Sequence, residues 1–484
     1  SARTVSPRYN QHRGSSNMAL TTPLTGGDDA AKMAKWQKVV FMVTFVNYAM
    51  SHFSRKCYTN VKTDLVKSGV DKIILSQMDT AFMFTYAMGS FISGRLGDMF
   101  PQNVVIGVGL IGSTLCLGMI TIFQETDVIH SNYGFGFFLF VFAQFLHGFA
   151  QSTGGPVNTS VMGAWFPKKG RGLIFGLWTC HQYIGDIVAA LATAWIIKQG
   201  FAWQWALLVP GIANGIWGVI NFFFLPNRPA EVGIETEEDK KAGLVSGASG
   251  GQQQETIGFM QALMIPNVLG YALAFGFFKF VNYAMFFWLP FFLSNHFDPQ
   301  SANVISSLYS VGMMPGGVIV GFVSDLYDGR RACVIATFMC MLAPLLWVFA
   351  MFSADMNPIL LLVLLGVMGI LVGGPNNIIT SAVAADLADH PSIGGNTRVL
   401  GTVTGIINGS GSITAAFGLM VIGPLQNMGG WTAVWYFLIA CVAVGTGLMG
   451  PKIWKELTQH EGTGSKAPAK PAAGYAGVAT KEGA

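Results

Sequence analysis

The chain has 484 residues, of which 52% are hydrophobic and only 11% charged, where a soluble domain carries roughly a quarter charged residues. The charges sit in short stretches between long apolar runs, so this is a membrane protein, and a net charge of +4 gives no ground for a nucleic-acid partner. Six cysteines fall inside apolar runs with no CxxC pair; neither a disulfide framework nor a metal site is indicated, and no cofactor is expected.

A hydrocarbon core of about 30 Å takes around 20 residues of helix. Residues 1–35 are rich in Ser, Thr and Arg with no acid before Asp28, the pattern of a disordered basic tail, with a targeting remnant as the alternative. Apolar runs then mark spans near 37–61, 76–96, 103–123, 133–157, 172–197 and 203–225, a first six-helix half over 36–226. A charged Gln/Gly/Ser-rich linker fills 227–258. Spans near 267–293, 302–325, 331–353, 358–380, 398–423 and 431–451 form a second half over 259–455. The Ala/Gly/Pro/Lys-rich segment 456–484 is expected to be a disordered tail. Two glycosylation-like tripeptides, at Asn158 and Asn408, lie inside spans and are discounted.

Lysine and arginine set the orientation. One face collects Lys32, Lys35, Lys38, Arg95, Lys168, Lys169, Arg171, the linker cations, Arg330, Arg331 and Lys452. The opposite face has Lys62, Lys67, Lys72 and Lys198. Both termini and the linker are therefore expected in the cytosol.

Two motifs recur. Gly94-Arg-Leu-Gly-Asp98 ends span 2, and Gly321-Phe-Val-Ser-Asp325, followed by Gly329-Arg330-Arg331, ends span 8. Gly154-Gly-Pro-Val-Asn158 in span 4 returns as Gly373-Gly-Pro-Asn-Asn377 in span 10 at a nearly equal offset. The expected fold is all-α, with twelve transmembrane helices in two pseudo-symmetric halves. Parallel repeats of this kind enclose a central site and move against each other.

Lys279 lies near the centre of span 7, too deep to snorkel easily. A cation there costs a few kcal/mol unless it meets a wet cavity or an anion; the bland alternative is an ion pair with a neighbouring acid. Arg55 falls inside the first span because the apolar run from Val39 to Phe53 is too short to cross. Lys56 points to another face. On span 5, Gln182 and Asp186 share a face and His181 lies one step round. Asp186 is expected to partner a buried cation, and His181 is either a phosphate donor or a packing residue. Tyr48, Tyr86, His147, Asn282, Tyr283, Asn376, Asn377 and Asn408 are further polar groups within spans. The excess of fixed positive charge suits an anion. An arginine fork and a lysine point charge from opposite halves suit a phosphate in particular.

These motifs resemble a known family. The Gly-x-x-x-Asp ends of spans 2 and 8, with Arg330 and Arg331, resemble the loop signature of the major facilitator superfamily. Ser54-Arg55-Lys56, Trp165-Phe166, Gly170-Arg171-Gly172, Trp178-Thr-Cys-His181, Pro229-Ala-Glu-Val-Gly233 and Ala385-Asp386-Leu387 resemble the organophosphate:phosphate antiporters. The likeness is nearest to the eukaryotic sugar-phosphate exchangers and extends to the bacterial glycerol-3-phosphate transporters. It covers about Trp36 to Trp454.

The resemblance implies exchange of a phosphorylated metabolite for inorganic phosphate, with no covalent chemistry. In the bacterial relatives an arginine on helix 1 and another on helix 7 grip the phosphate, with a histidine on helix 5 and a lysine on helix 2. Arg55 matches the first. The second falls on Asn282, with Lys279 one turn away on the same face, as in the eukaryotic branch. Gln182 takes the bacterial histidine position, His181 stands where the eukaryotic exchangers carry theirs, and Ser90 replaces the helix 2 lysine.

The expected binding set is therefore Arg55, Lys279, His181, Gln182, Asn282, Tyr48 and Tyr283. Gly94, Asp98, Gly321, Asp325, Arg330 and Arg331 form the gating motif. The expected partners are the bilayer, a sugar phosphate or glycerol 3-phosphate, and inorganic phosphate, handled by a monomer. Two alternatives stand beside this. One is a proton-coupled organic-anion carrier with His181 and Asp186 as relay; the other is a transport-inactive sensor or scaffold.

Overall fold

The computed structural model describes residues 27–166, 171–234, 259–327, 329–388, 390 and 399–458. The first half consists of α1 (Gly27–Asn60), α2 (Lys72–Met99), α3 (Gln102–Glu125), α4 (Tyr133–Gln151 and Gly154–Trp165), α5 (Arg171–Trp178 and His181–Lys198) and α6 (Trp205–Phe224). The second half consists of α7 (Val268–Leu293), α8 (Pro299–Leu326), α9 (Arg331–Phe352) and α10. The last runs over Pro358–Ile378 and continues through a π turn to Ala388. Then α11 and α12 share the stretch Val399–Leu448, divided at Gly430, whose φ of +65° belongs to glycine.

Eight of the described helices are long and apolar enough to cross a membrane, and one of these is the α11–α12 pair. The three others, α1, α2 and α5, miss that measure for reasons tied to what they carry. Arg55 and Lys56 lie in α1, Asp79 lies in α2, and α5 carries His181, Gln182 and Asp186. All twelve expected spans are thus present.

The repeat extends to helix starts. Asp71 and Asn132 cap α2 and α4 through side-chain acceptors; Asp298 and Asn357 do the same for α8 and α10. Each satisfies backbone donors that a helix start leaves open. Within each half, glycine permits close approach. A Cβ on Gly148 of α4 would stand 2.2 Å from the Phe82 carbonyl of α2, and one on Gly312 of α8 would stand 2.0 Å from the Gly366 carbonyl of α10. Small residues replace hydrophobic drive in packing membrane helices.

The expected boundaries shift at three places. Residues 27–35, assigned to a disordered tail, are the start of α1: Met33 is buried, Trp36 packs against the apolar cluster that includes Trp165, and the Trp165 carbonyl accepts from Gln37 Nε2. The head of the linker is folded. Pro229–Val232 forms a 3-10 turn, Ile234 is buried, and Glu231 accepts from Asn227; residues 235–258 lie outside the described residues. A helix over Gly450–Thr458 follows α12, and its Glu456 accepts from the backbone N–H groups of Ala332 and Cys333, capping α9. That carboxylate keeps 456 out of the tail, whose residues 459–484 are outside the description.

The halves meet on the face opposite the linker. Thr63 and Ser294 share a hydroxyl hydrogen bond of 2.6 Å, and Asn303 Nδ2 donates to the Asn60 carbonyl at 3.3 Å. Lys62, counted above as a loop residue, is fully buried. It pairs with Asp79 at 2.5 Å and faces the Trp288 ring of α7 at 4.2 Å. Proline supplies two further links. Pro290 has no N–H to offer the Phe286 carbonyl one turn back, and Lys56 Nζ from α1 donates there at 2.6 Å. Likewise Pro424 leaves the Met420 carbonyl, to which Gln77 Nε2 of α2 donates at 3.5 Å.

Two outcomes follow for stability, each read by thermal unfolding of the detergent-purified protein. Gly312→Val drives a side chain into immovable backbone and is expected to cost about 1–3 kcal/mol or more. Lys56→Met leaves the buried Phe286 carbonyl unserved, a loss of about 1–3 kcal/mol. The loss should shrink in a Pro290→Ala background, where residue 290 regains its N–H; equal losses in both backgrounds would refute the pairing.

Candidate functional site

A cavity of about 160 Å³ lies between the halves, bordered by α1, α2 and α5 on one side and α7, α8, α10 and α11 on the other. On the same measure one water needs about 10–15 Å³, so the space admits a small solute. Of the expected residues, Tyr48, Gln182, Asp186, Lys279, Asn282 and Tyr283 border it.

Lys279 reaches the cavity from the middle of α7. Its Nζ donates to Asn408 Oδ1 at 2.7 Å, to the Asn408 carbonyl at 3.2 Å and to Ser412 Oγ at 2.7 Å. These acceptors are neutral, and among the described residues no carboxylate pairs with the ammonium. The structural ion pair considered for Lys279 is therefore not found. Gly411 permits this geometry, since a Cβ there would sit 3.0 Å from the lysine Cδ.

Arg55 is 2% exposed and does not border the cavity. Its Nε donates to Gln151 Oε1 at 2.8 Å, and its guanidinium lies over the rings of Phe82 at 5.0 Å and Tyr86 at 4.7 Å. Tyr86 borders the cavity and shares a 3.0 Å hydrogen bond with Tyr48. The arginine thus stands behind a tyrosine screen, with Nη1 lacking an acceptor among the described residues. Gln151 itself is held by Ser51, Ser54 and His147.

Asp186 departs from expectation. It pairs with His52 rather than with a lysine or arginine, Nδ1 to Oδ1 at 3.0 Å, and both residues border the cavity. Gly185 explains the contact: a Cβ there would lie 2.3 Å from the Ala49 carbonyl, so glycine lets α5 press onto α1 beside His52. Lys56 and Arg55 are engaged elsewhere. His181 is packed among aromatic rings, 4.3 Å from Tyr48 and 4.4 Å from Trp178 between centroids, and does not border the cavity. Neither of its ring nitrogens has a hydrogen-bond partner among the described residues. The His181–Asp186 relay is accordingly not assembled here.

The second half contributes a neutral polar wall. Tyr309 donates to Asn282 Oδ1 at 3.0 Å, and Asn377 Nδ2 donates to the Tyr183 hydroxyl of α5 at 3.1 Å, a contact across the halves. Away from the cavity, Gly94 and Asp98 lie at the end of α2 and Gly321 and Asp325 at the end of α8, with Asp325 exposed. Arg330 precedes α9, and Arg331 pairs with Asp386 at the end of α10. That pair ties α9 to α10 within one half.

Sequence reasoning missed His52, Gln151, Lys62 and Asp79. For His52 a signal existed, since it lies four residues after Tyr48 and three before Arg55 on the same helical face.

The family model for the Major Facilitator Superfamily matches residues 44–419 and 293–474. The chain is 34% identical over 470 residues to sugar phosphate exchanger 3 of Bos taurus, covering 86% of this chain and 93% of that protein. It is 32% identical over 475 residues to "Putative glycerol-3-phosphate transporter 1" of Arabidopsis thaliana, covering 88% and 89%. A crystal structure of the nucleoside transporter NupG aligns with a TM-score of 0.62 at 13% identity, covering 86% of this chain and 99% of that one. At that identity the likeness shows the fold alone. With a family model over most of its length and relatives one-third identical across nearly all of it, the chain belongs to the major facilitator superfamily and is a multi-pass membrane carrier, not an enzyme.

Proposed function

We propose that this carrier exchanges a phosphorylated sugar or glycerol 3-phosphate for inorganic phosphate by alternating access. The observation that carries the reading is Lys279: a buried ammonium at a central cavity with neutral acceptors and no carboxylate partner among the described residues. Such a charge is costly in a membrane unless an anion visits it. Arg55 supplies a second cation from the other half, with one guanidinium nitrogen unserved.

A phosphoryl group bridging the two would draw α1 toward α7. Tyr48, Tyr86 and Tyr283 then swing aside or donate to the phosphate, while the amides Asn282, Asn376 and Asn377 face the rest of the solute. The names of two relatives, sugar phosphate exchanger 3 and "Putative glycerol-3-phosphate transporter 1", support that substrate class. With both termini and the linker cytosolic, as the lysine and arginine distribution favours, the conformation described is closed on the non-cytosolic side. One chain holds both cations, so a monomer suffices for transport.

Counterflow in proteoliposomes tests this. Labelled phosphate uptake should require phosphate or a phosphate ester inside. Losing one charged contact of about 1.5–3 kcal/mol should weaken phosphate binding about 10- to 100-fold in Arg55→Ala and in Lys279→Ala. Uptake without internal substrate, or wild-type exchange in both variants, would overturn the reading.

A further inference from the structure

We infer that His52 and Asp186 form a proton-binding site in the cavity wall, so that each phosphate compound crosses together with one proton. This rests on the phosphate-exchange reading above and adds a second ligand to the same cavity.

The geometry is specific. His52 and Asp186 are 6% and 4% exposed, share a 3.0 Å hydrogen bond, and both border the cavity. Asp186 is the one carboxylate among the described residues of the lining. A fixed negative charge in the cavity wall opposes an entering anion, so a carboxylate there needs a counter-charge when the anion arrives. Its partner is the one side-chain type whose charge ordinarily changes near neutral pH. With Nδ1 turned to Asp186, Nε2 is the nitrogen left to take up a proton.

The other charged or titratable groups acting on His52 are Tyr48, Arg55 and Lys56 on its own helix and His181 on α5. Across the cavity, α7 brings Lys279 and Tyr283 and α8 brings Tyr309 to the lining; on the His52 side α2 brings Tyr86 and α5 brings Tyr183. Arg55 and Lys56 are occupied by Gln151 and the Phe286 carbonyl, and His181 is wrapped in aromatic rings. Among these, His52 combines a place on the cavity with a carboxylate to hold its imidazolium.

A phosphate monoester loses its second proton near pH 6, so both its monoanion and its dianion are present around neutrality. They differ by one charge, the charge that His52 can supply. A dianion binds with His52 protonated. A monoanion binds with His52 neutral, or passes its proton across: the phosphoryl O–H bond breaks, an N–H bond forms at Nε2, and Asp186 stabilises the imidazolium. The loaded site holds one proton either way. Since both legs of the exchange carry it, the protons balance.

The test uses the full-length protein in proteoliposomes, with labelled phosphate counterflow measured from pH 6 to pH 8 and sulfate as competitor. Sulfate has the shape of phosphate but stays a dianion throughout, so its binding needs the protein's proton. In the wild type, sulfate competition should weaken toward about tenfold per pH unit at the alkaline end. Asp186→Asn removes the opposing charge, so sulfate and phosphate should bind at pH 8 more tightly than to the wild type, with a flattened pH profile. His52→Gln should compete poorly with sulfate at every pH and keep measurable phosphate counterflow at pH 6 that falls steeply by pH 8. Two results overturn the inference: wild-type sulfate competition that is absent or independent of pH, or both substitutions lowering phosphate affinity by one factor at every pH, as a purely structural bond would. Absence of phosphate counterflow by the wild type at any pH would instead overturn the exchange reading, and the inference with it.

Discussion

In hydrocarbon a backbone carbonyl has no water to turn to, so whatever a helix does not satisfy must be satisfied by the rest of the protein. Proline inside a span creates that need on purpose. In the first half, Pro156 leaves the Ser152 carbonyl, and Ser93 Oγ of α2 donates to it at 2.9 Å, joining α2 to α4. In the second half, Pro290 and Pro424 leave carbonyls that donors from the first half reach. Proline thus binds elements within a half and also the two halves to each other.

The same economy governs charge. Lys62 and Asp79 neutralise each other inside the first half, with Trp288 of the second half lying over the ammonium. A buried ion pair gains little net stability from its Coulomb attraction once desolvation is counted, so its weight falls on how the face closes. Lys56 is absorbed by a carbonyl. What is left for the cavity is Lys279, served by neutral groups, and Arg55, screened by Tyr86. The excess of positive charge left around the cavity comes from this sorting of cations into those with internal partners and those without.

Much of this was legible in the sequence because it depends on residue type and spacing. Twelve spans, two repeats and the isolation of Lys279 in an apolar stretch follow from composition along the chain. What depended on helix rotation and contact was not legible. Arg55 is on the expected helix, yet its screening by Tyr86 follows from how α2 leans on α1. Asp186 meets His52 because Gly185 removes a Cβ at one contact point, which no spacing rule encodes. Lys62 read as a loop cation because it lies just past the end of α1; its partner Asp79 is two turns into the next helix.

The proline-released acceptors of α7 and α11 also make the seam between the halves asymmetric toward sequence change. Donors such as Lys56 and Gln77 are side chains, so many replacements of similar reach can stand in for them. The acceptors are main chain, and no substitution at Phe286 or Met420 removes them; only replacing Pro290 or Pro424 does. Side-chain substitution can therefore reshape the first half's side of the seam, while the two prolines keep acceptors exposed on the second half's side.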